Sequence, residues 1–433
     1  DIIRHLPSLD YVIPAVIGHH ERYDGKGYPD GLKGTDISLY ARIIAIADGY
    51  DVMNTNHSCR NSLPEASIIR EFRENSGTQF DPELTEIFLM LLEEHRLDIN
   101  SDYLHPENQD GSLYVRKEDF FRFRADTMFL ASEPREVFYD SRRRSFYANA
   151  PLQVSISDEH QLLVKFFSPV GIQDVKIMCR FNKFSMEFFE LAHFEQIYPF
   201  MEASFPLPVV DSERTFTTSS GRKIVVPAQP GLSNDDVTLV IRTEDPFMKK
   251  IEQIDSRWFI RFSSYSADNG HAYWRHMNPL LCRHGVALAV NMAFMFSSEE
   301  FNMEMNKYEG LLKDNGGNPI NLDALRQRIR NHGGLVLGCV AGVGGLGGGN
   351  TYGLANYCYT GVYFDATPPD AHPHNYPRQA MFHEYGHCLG YNHSSTMTYG
   401  DQWTVLCATV FVNMGKNGKL PVCSKEIIAQ LPM

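Results

Sequence analysis

The chain has 433 residues, 43% hydrophobic and 21% charged, an ordinary globular composition that excludes disorder, collagen and coiled coil as readings of the whole. Lys+Arg 40 against Asp+Glu 53 leaves a net charge of −13, which argues against non-specific binding to nucleic acid or anionic lipid. At about 100–200 residues per domain, roughly two to four domains are expected. The longest apolar run, 285–296, is interrupted by Asn291. It falls short of the about 20 residues that a spanning helix needs, so no transmembrane segment is expected. No charged-then-apolar leader opens the chain, and the first residue is Asp1, which predicts a fragment or a processed or trimmed product.

The N-terminal 97 residues read as helical. A helix is predicted through 41–53. A second follows Asp81, which can cap; Pro82 suits the first helical position and Glu83 the positive end, and Leu84, Ile87, Phe88, Leu91 and Leu92 recur at helical spacing. Ahead of these helices stand His19, His20 and a loop with Gly27-Tyr28-Pro29; Asp48 lies within the 41–53 segment. Adjacent histidines plus a helical Asp suit a divalent metal site in a phosphoesterase, and the Gly-Tyr-Pro loop offers rigid backbone and an aromatic face to a nucleotide. These residues, with Gly77-Thr78-Gln79-Phe80-Asp81-Pro82, resemble the C-terminal half of an HD-GYP domain, a cyclic di-GMP phosphodiesterase. The resemblance implies His19, His20 and Asp48 as ligands of a second divalent metal, Gly27, Tyr28 and Pro29 as a nucleotide loop, and a cyclic dinucleotide as partner. The upstream His-Asp pair of that family and its other histidine ligands are not in this chain, so the implied metal site is incomplete.

Residues 98–145, with Arg142, Arg143 and Arg144, read as linker or irregular structure. From 146 the period becomes two. Leu152, Val154 and Ile156 alternate with polar neighbours, as do Val175, Ile177, Cys179 and Phe181, and then Val237, Leu239 and Ile241. Short alternating strands separated by turn residues predict a β-sandwich-like domain over 146–270. The remainder, 271–433, holds an apolar helix near 284–297, a Gly-rich stretch and a short helix at 377–389. Cys59 and Cys179 stand alone; Cys282, Cys339, Cys358, Cys388, Cys407 and Cys423 crowd the last third, where bridges and buried thiols both stay open. The 342–347 segment matches GxGxxG, but the glycines after it are poor helix residues, so it reads as a mobile or close-packed segment before the 377–389 helix.

That helix carries the sharpest chemical signal. At about 100° per residue, His383 and His387 lie within about 40° of each other, and Glu384 stands about 60° from His387. Met381, Tyr385, Cys388 and Leu389 cluster on the other side. Gly390 permits a left-handed residue that ends the helix, and His393 can swing back as a third ligand. Three imidazoles around one open tetrahedral position suit a catalytic Zn2+, with Glu384 placed to accept a proton from bound water. His372 and His374 fit no ligand spacing and read as loop residues.

The motif His383-Glu384-x-x-His387-x-x-Gly390-x-x-His393 resembles that of the metzincin metalloproteases. The resemblance implies Met397 as the Met-turn methionine, Tyr399 as a catalytic phenol, and peptide-bond hydrolysis with Glu384 as general base on a protein or peptide substrate. The connection from His393 to Met397 is three residues, shorter than most such families insert. The whole is expected to be a multidomain α+β protein: a helical HD-GYP-like segment (1–97), a linker (98–145), a β-sandwich-like domain (146–270) and a metzincin-like α/β zinc peptidase domain (271–433). The main expected activity is that of a zinc-dependent metalloendopeptidase. The alternatives are a cyclic di-GMP phosphodiesterase or binder, and a non-catalytic surface binding protein. The peptidase resemblance implies an exported or cell-surface protein, the HD-GYP resemblance a cytoplasmic one. Two unrelated parts joined by fusion or misassembly are therefore expected.

Overall fold

The computed structural model describes residues 13–54, 65–93, 111–117, 126–130, 133–183, 187–360, 376–399 and 402–422. The chain divides into two units, Asp1–Asp102 and Tyr103–Met433. Cys59, Cys423, His372 and His374 lie outside the described residues.

The first unit is helical. Helix Leu39–Asn54 covers the expected 41–53 segment, and helices Glu65–Glu74 and Pro82–Glu93 pack with it around Ile46, Ile68, Phe72, Phe80 and Leu89. Asp81 caps the last helix as its sequence predicts: one carboxylate oxygen accepts the Glu83 and Leu84 backbone N–H groups at 2.9 and 3.2 Å. The other oxygen accepts from Arg42 at 2.5 Å, so a single buried acid ties two helices together.

The second unit contains two four-stranded sheets. One runs Leu113–Val115, Phe189–Ile197, Ile172–Phe181, Val237–Arg242; the other runs Asp126–Thr127, Met201–Phe205, Leu162–Phe166, Leu152–Ile156. A third, six-stranded sheet runs Gly345–Gly348, Thr351–Ala355, Leu335–Val340, Phe259–Phe262, Phe146–Tyr147, with Trp274–Arg275 paired to Leu335–Val340.

Two expected boundaries need correction. The segment read as linker, 98–145, supplies strands to both four-stranded sheets and the helix Arg135–Tyr139. Its Arg144 is buried, with its guanidinium on the Glu133 carboxylate and 2.8 Å from that of Glu202. A charge-rich stretch reads as solvated by composition, yet buried charges are stable when paired this way. The boundary at 270 is not a break in the core either. Phe259–Phe262 pairs in parallel with Leu335–Val340 and antiparallel with Phe146–Tyr147, and one hydrophobic core runs through both expected domains. Phe129, from the segment read as linker, packs into the same core, its ring 5.1 Å from that of Phe262 and 5.8 Å from that of Phe200.

Helix Pro279–Ser297 extends the expected 284–297 helix backwards because Asn278 caps it, accepting from Leu281 N–H at 2.8 Å, and Pro279 opens it. With 19 residues it is long and apolar enough to cross a membrane by length and composition, contrary to the expectation from the 285–296 run. It is instead packed into the core, with 89% of its most apolar window buried. Asn291 interrupts the run for a specific reason. Its side-chain amide donates to Val422 O at 2.6 Å and accepts from Val422 N–H at 2.9 Å, pairing like a strand with the distant C-terminal segment. The six described cysteines of this unit are buried free thiols.

Both polar atoms of that pair are buried, and each orphaned group costs about 1–3 kcal/mol. Asn291→Ala is therefore expected to lower stability by about 2–4 kcal/mol, measured by urea unfolding. A change within about 0.5 kcal/mol, the range of neutral surface substitutions, would show that the Val422 pairing contributes nothing.

Candidate functional site

The site forms on helix Tyr376–Cys388, which buries Met381, Phe382, Tyr385 and Cys388 in the core and leaves His383 and His387 half-exposed. Trp403 anchors it by donating its indole N–H to Phe382 O at 3.0 Å. Gly390 ends it at φ +84, with Gly390 N–H on His387 O at 2.9 Å and Tyr391 N–H on Gly386 O at 3.1 Å. This Schellman-type stop turns the chain so that His393 returns to the helix face.

Backbone carbonyls decide which imidazole nitrogens are available. His383 Nδ1 lies 2.8 Å from Thr398 O, and His387 Nδ1 lies 2.7 Å from Tyr391 O. A carbonyl only accepts, so each Nδ1 carries the proton and each Nε2 presents a lone pair. His387 Nε2 stands 3.2 Å from His383 Nε2 and 3.0 Å from His393 Nε2. The Nε2 lone pairs of His383 and His387 repel at 3.2 Å, and a shared cation would turn that repulsion into coordination. Among the described residues, His383, His387 and His393 are the one group of three or more His, Cys, Asp or Glu side chains placed to hold a metal ion. All are imidazoles, a donor set that suits zinc and other borderline divalent metals.

The 395–399 turn passes directly under the helix. Met397 is fully buried, and a Cβ on Gly386 would stand 2.3 Å from Met397 O, so only glycine admits the turn there. Thr398 Oγ1 donates to Asn392 O at 2.6 Å and fixes the carbonyl that orients His383. Tyr399 is exposed, with its ring 4.5 Å from that of His393 and 5.3 Å from that of His383. Glu384 is buried on the other flank, and burial pushes its carboxyl up to about 7 against the pull of a hydrogen bond from the Gly347 backbone. Burial also holds His383 and His387 below the ordinary histidine range, which favours the neutral, ligating form.

The N-terminal candidates do not converge in the same way. His19 and His20 rings lie 4.0 Å apart, but His19 Nδ1 is committed to Val16 O at 2.8 Å. The His20 ring stacks on Tyr28 at 5.0 Å. Asp48 is exposed on helix Leu39–Asn54, and among the described residues these three do not form a three-donor group. What holds the Gly27-Tyr28-Pro29 loop is Glu21, which the motif reading passed over. Its buried carboxylate accepts the backbone N–H groups of Asp30, Gly31 and Leu32 at 2.6, 3.0 and 3.1 Å. Tyr28 is left 61% exposed at the tip. The only sequence signal for Glu21 is an acid next to a glycine-rich loop full of unpaired amides.

The HD domain family matches residues 1–84. A cyclic di-GMP phosphodiesterase of Thermotoga maritima is 36% identical over 106 residues, 24% of this chain and 28% of that protein. A probable cyclic di-GMP phosphodiesterase of Vibrio cholerae is 36% identical over 92 residues, 21% of each chain. A 3'3'-cGAMP-specific phosphodiesterase of the same organism is 39% identical over 71 residues, 16% of this chain and 14% of that protein. The chain thus spans little more than a quarter of these relatives at most.

These findings overturn the main expected activity. The family and the relatives named are an HD domain and phosphodiesterases of cyclic dinucleotides, so the reading as a zinc-dependent metalloendopeptidase with a protein or peptide substrate is corrected. The spacing at 383–393 covers 11 residues and bears on which donors can meet, whereas the N-terminal match extends over residues 1–84.

Gly386→Ala is expected to push the 395–399 turn away and strip His383 of its carbonyl partner. Losing such an outer partner costs about 10–100-fold in metal affinity. Zinc affinity measured against a competing chelator tests this, and an affinity equal to the unsubstituted protein's would refute the packing argument.

Proposed function

We propose that the first unit recognises a cyclic dinucleotide, as part of the hydrolytic system to which its relatives belong. The observation that carries this reading is the loop built on Glu21. Its carboxylate gathers three backbone amides and leaves the Tyr28 ring exposed beside His20, within the segment that matches the HD domain family. An exposed aromatic ring offers a base a stacking surface, and Lys26, exposed on the same loop, supplies a positive charge for phosphate. His19, His20 and Asp48 do not gather into a metal centre by themselves, so no hydrolytic step is assigned to them. Phosphodiester hydrolysis requires donors beyond these three.

A specific observation favours a second reading for the other unit: a divalent metal centre, zinc by its donor set, on His383, His387 and His393, in the manner of the metzincin motif. The converging Nε2 lone pairs support it. A divalent ion there would act as a Lewis acid that eases loss of a proton from water near neutral pH. The protein's own side chains support this reading. Thr398 and Tyr391 carbonyls orient two rings, Glu384 can accept a proton beside them, and the Tyr399 phenol can donate to a negatively charged group at the open side. Met397 supports the floor. Within this proposal, a helical HD-GYP-like segment to residue 97 and a metal-bearing C-terminal part remain the functional divisions of the chain. A cytoplasmic location of the first unit is part of this proposal, since it rests on a cyclic-dinucleotide ligand.

Calorimetric titration of the full chain with cyclic di-GMP and with 3'3'-cGAMP tests the first reading. Saturable binding is expected, weakened about tenfold or more by Tyr28→Ala, since stacking on one base contributes about 1–3 kcal/mol. Absence of binding, or equal binding by Tyr28→Ala and Glu21→Ala, would refute it. For the second reading, elemental analysis should find one equivalent of zinc in the purified chain and none in His383→Ala/His387→Ala.

A further inference from the structure

The Gly345–Gly348 strand is the edge of the six-stranded sheet, paired only with Thr351–Ala355 among the described strands, with Gly345 opposite Leu354 and Gly347 opposite Tyr352. Tyr352 is fully buried and donates its hydroxyl to Met381 O at 2.9 Å, so the strand that sets this register is itself bonded to the site helix. Against that helix the edge strand makes an unusually close approach. A Cβ on Gly345 would stand 2.3 Å from Glu384 Cγ, 2.7 Å from Cδ and 2.8 Å from Oε1. A Cβ on Gly347 would stand 2.2 Å from the Glu384 carbonyl oxygen. The Gly347 backbone N–H donates to the Glu384 carboxylate.

Backbone conformation does not explain these glycines. The flanking Gly342 and Gly349 have positive φ, +81 and +54, where glycine is favoured. Gly345 and Gly347 do not, and any residue could adopt their backbone angles. Gly348, next in the strand, faces open space and has no positive φ. Two of the three positions therefore require glycine for contact with Glu384 alone.

We infer that Gly345 and Gly347 are positioning residues, whose missing side chains let the edge strand's main chain hold the Glu384 carboxylate beside the three imidazoles. The acid is thus placed by a backbone amide of a neighbouring strand. Its importance for metal chemistry rests on the metal-centre reading above, but the contact itself does not.

Two measurements separate the contact from the metal. In the metal-free protein, amide hydrogen exchange is read at position 347 by mass spectrometry or NMR. Glu384→Ala and Gly345→Ala are expected to speed it about tenfold or more, the loss of one charge-assisted hydrogen bond worth about 1.4 kcal/mol. Gly348→Ala should leave it unchanged. In the cobalt-loaded protein, the visible absorption spectrum of Gly345→Ala and Gly347→Ala should change as it does in Glu384→Gln, with metal stoichiometry retained, while Gly348→Ala keeps the original spectrum. Exchange at 347 unaffected by Glu384→Ala, or equal spectra for Gly345→Ala and Gly348→Ala, overturns the inference. If the unsubstituted chain takes up no cobalt, the metal reading fails, and exchange in Glu384→Ala, which deletes only a side chain, still decides the contact.

Discussion

Two backbone carbonyls, those of Thr398 and Tyr391, govern the C-terminal unit's candidate chemistry. By accepting the Nδ1 protons of His383 and His387 they turn two Nε2 lone pairs toward His393. Much of the surrounding structure serves to keep those carbonyls in place. Gly390 turns the chain so that Tyr391 O returns over the helix end. Gly386 lets the 395–399 turn pass close enough for Thr398 O to reach His383. Trp403 and Phe296 pack behind the helix, Phe296 against its Tyr385, with the rings of Phe296 and Trp403 stacking at 5.9 Å, so the helix has a rigid floor. Without that floor the rings would be free to rotate and the lone pairs to diverge.

The first unit solves a different problem with a different device, a buried acid collecting backbone amides. Glu21 gathers three N–H groups of the Gly-Tyr-Pro loop, and Asp81 caps one helix while pairing with Arg42 of another. Buried carboxylates are costly unless fully hydrogen-bonded, and both are. The result is a loop whose main chain is fixed and whose aromatic tip is free. The proposed recognition of a cyclic dinucleotide would use such a loop; the segment itself is similar to phosphodiesterases of cyclic dinucleotides.

The two parts of the chain carry different kinds of information. An 11-residue motif with five constrained positions is chemically informative about what a site can bind, but says little about what the whole chain does. The N-terminal segment is less dramatic in its donors, since His19, His20 and Asp48 form no three-donor group among the described residues, yet its likeness extends over 84 residues. Donor geometry and family likeness answer separate questions. The first concerns coordination; the second concerns substrate class.

Local periodicity and capping were legible in the residues: the Asp81-Pro82 helix start, the 41–53 helix, the alternating strands at 152–156, 175–181 and 237–241, and the two histidines one helical turn apart. Each depends on neighbours within a few positions, so spacing alone determines it. What only the tertiary structure decided involves partners distant in sequence. The burial of Arg144 between Glu133 and Glu202 belongs here, as do the Asn291 pairing with Val422, the continuity of the core across residue 270, and the seat of Glu384 against Gly345 and Gly347. In each, a polar or glycine residue looks out of place until its partner arrives, because the cost of burying it is met by a group that the chain brings back from tens of residues away or more.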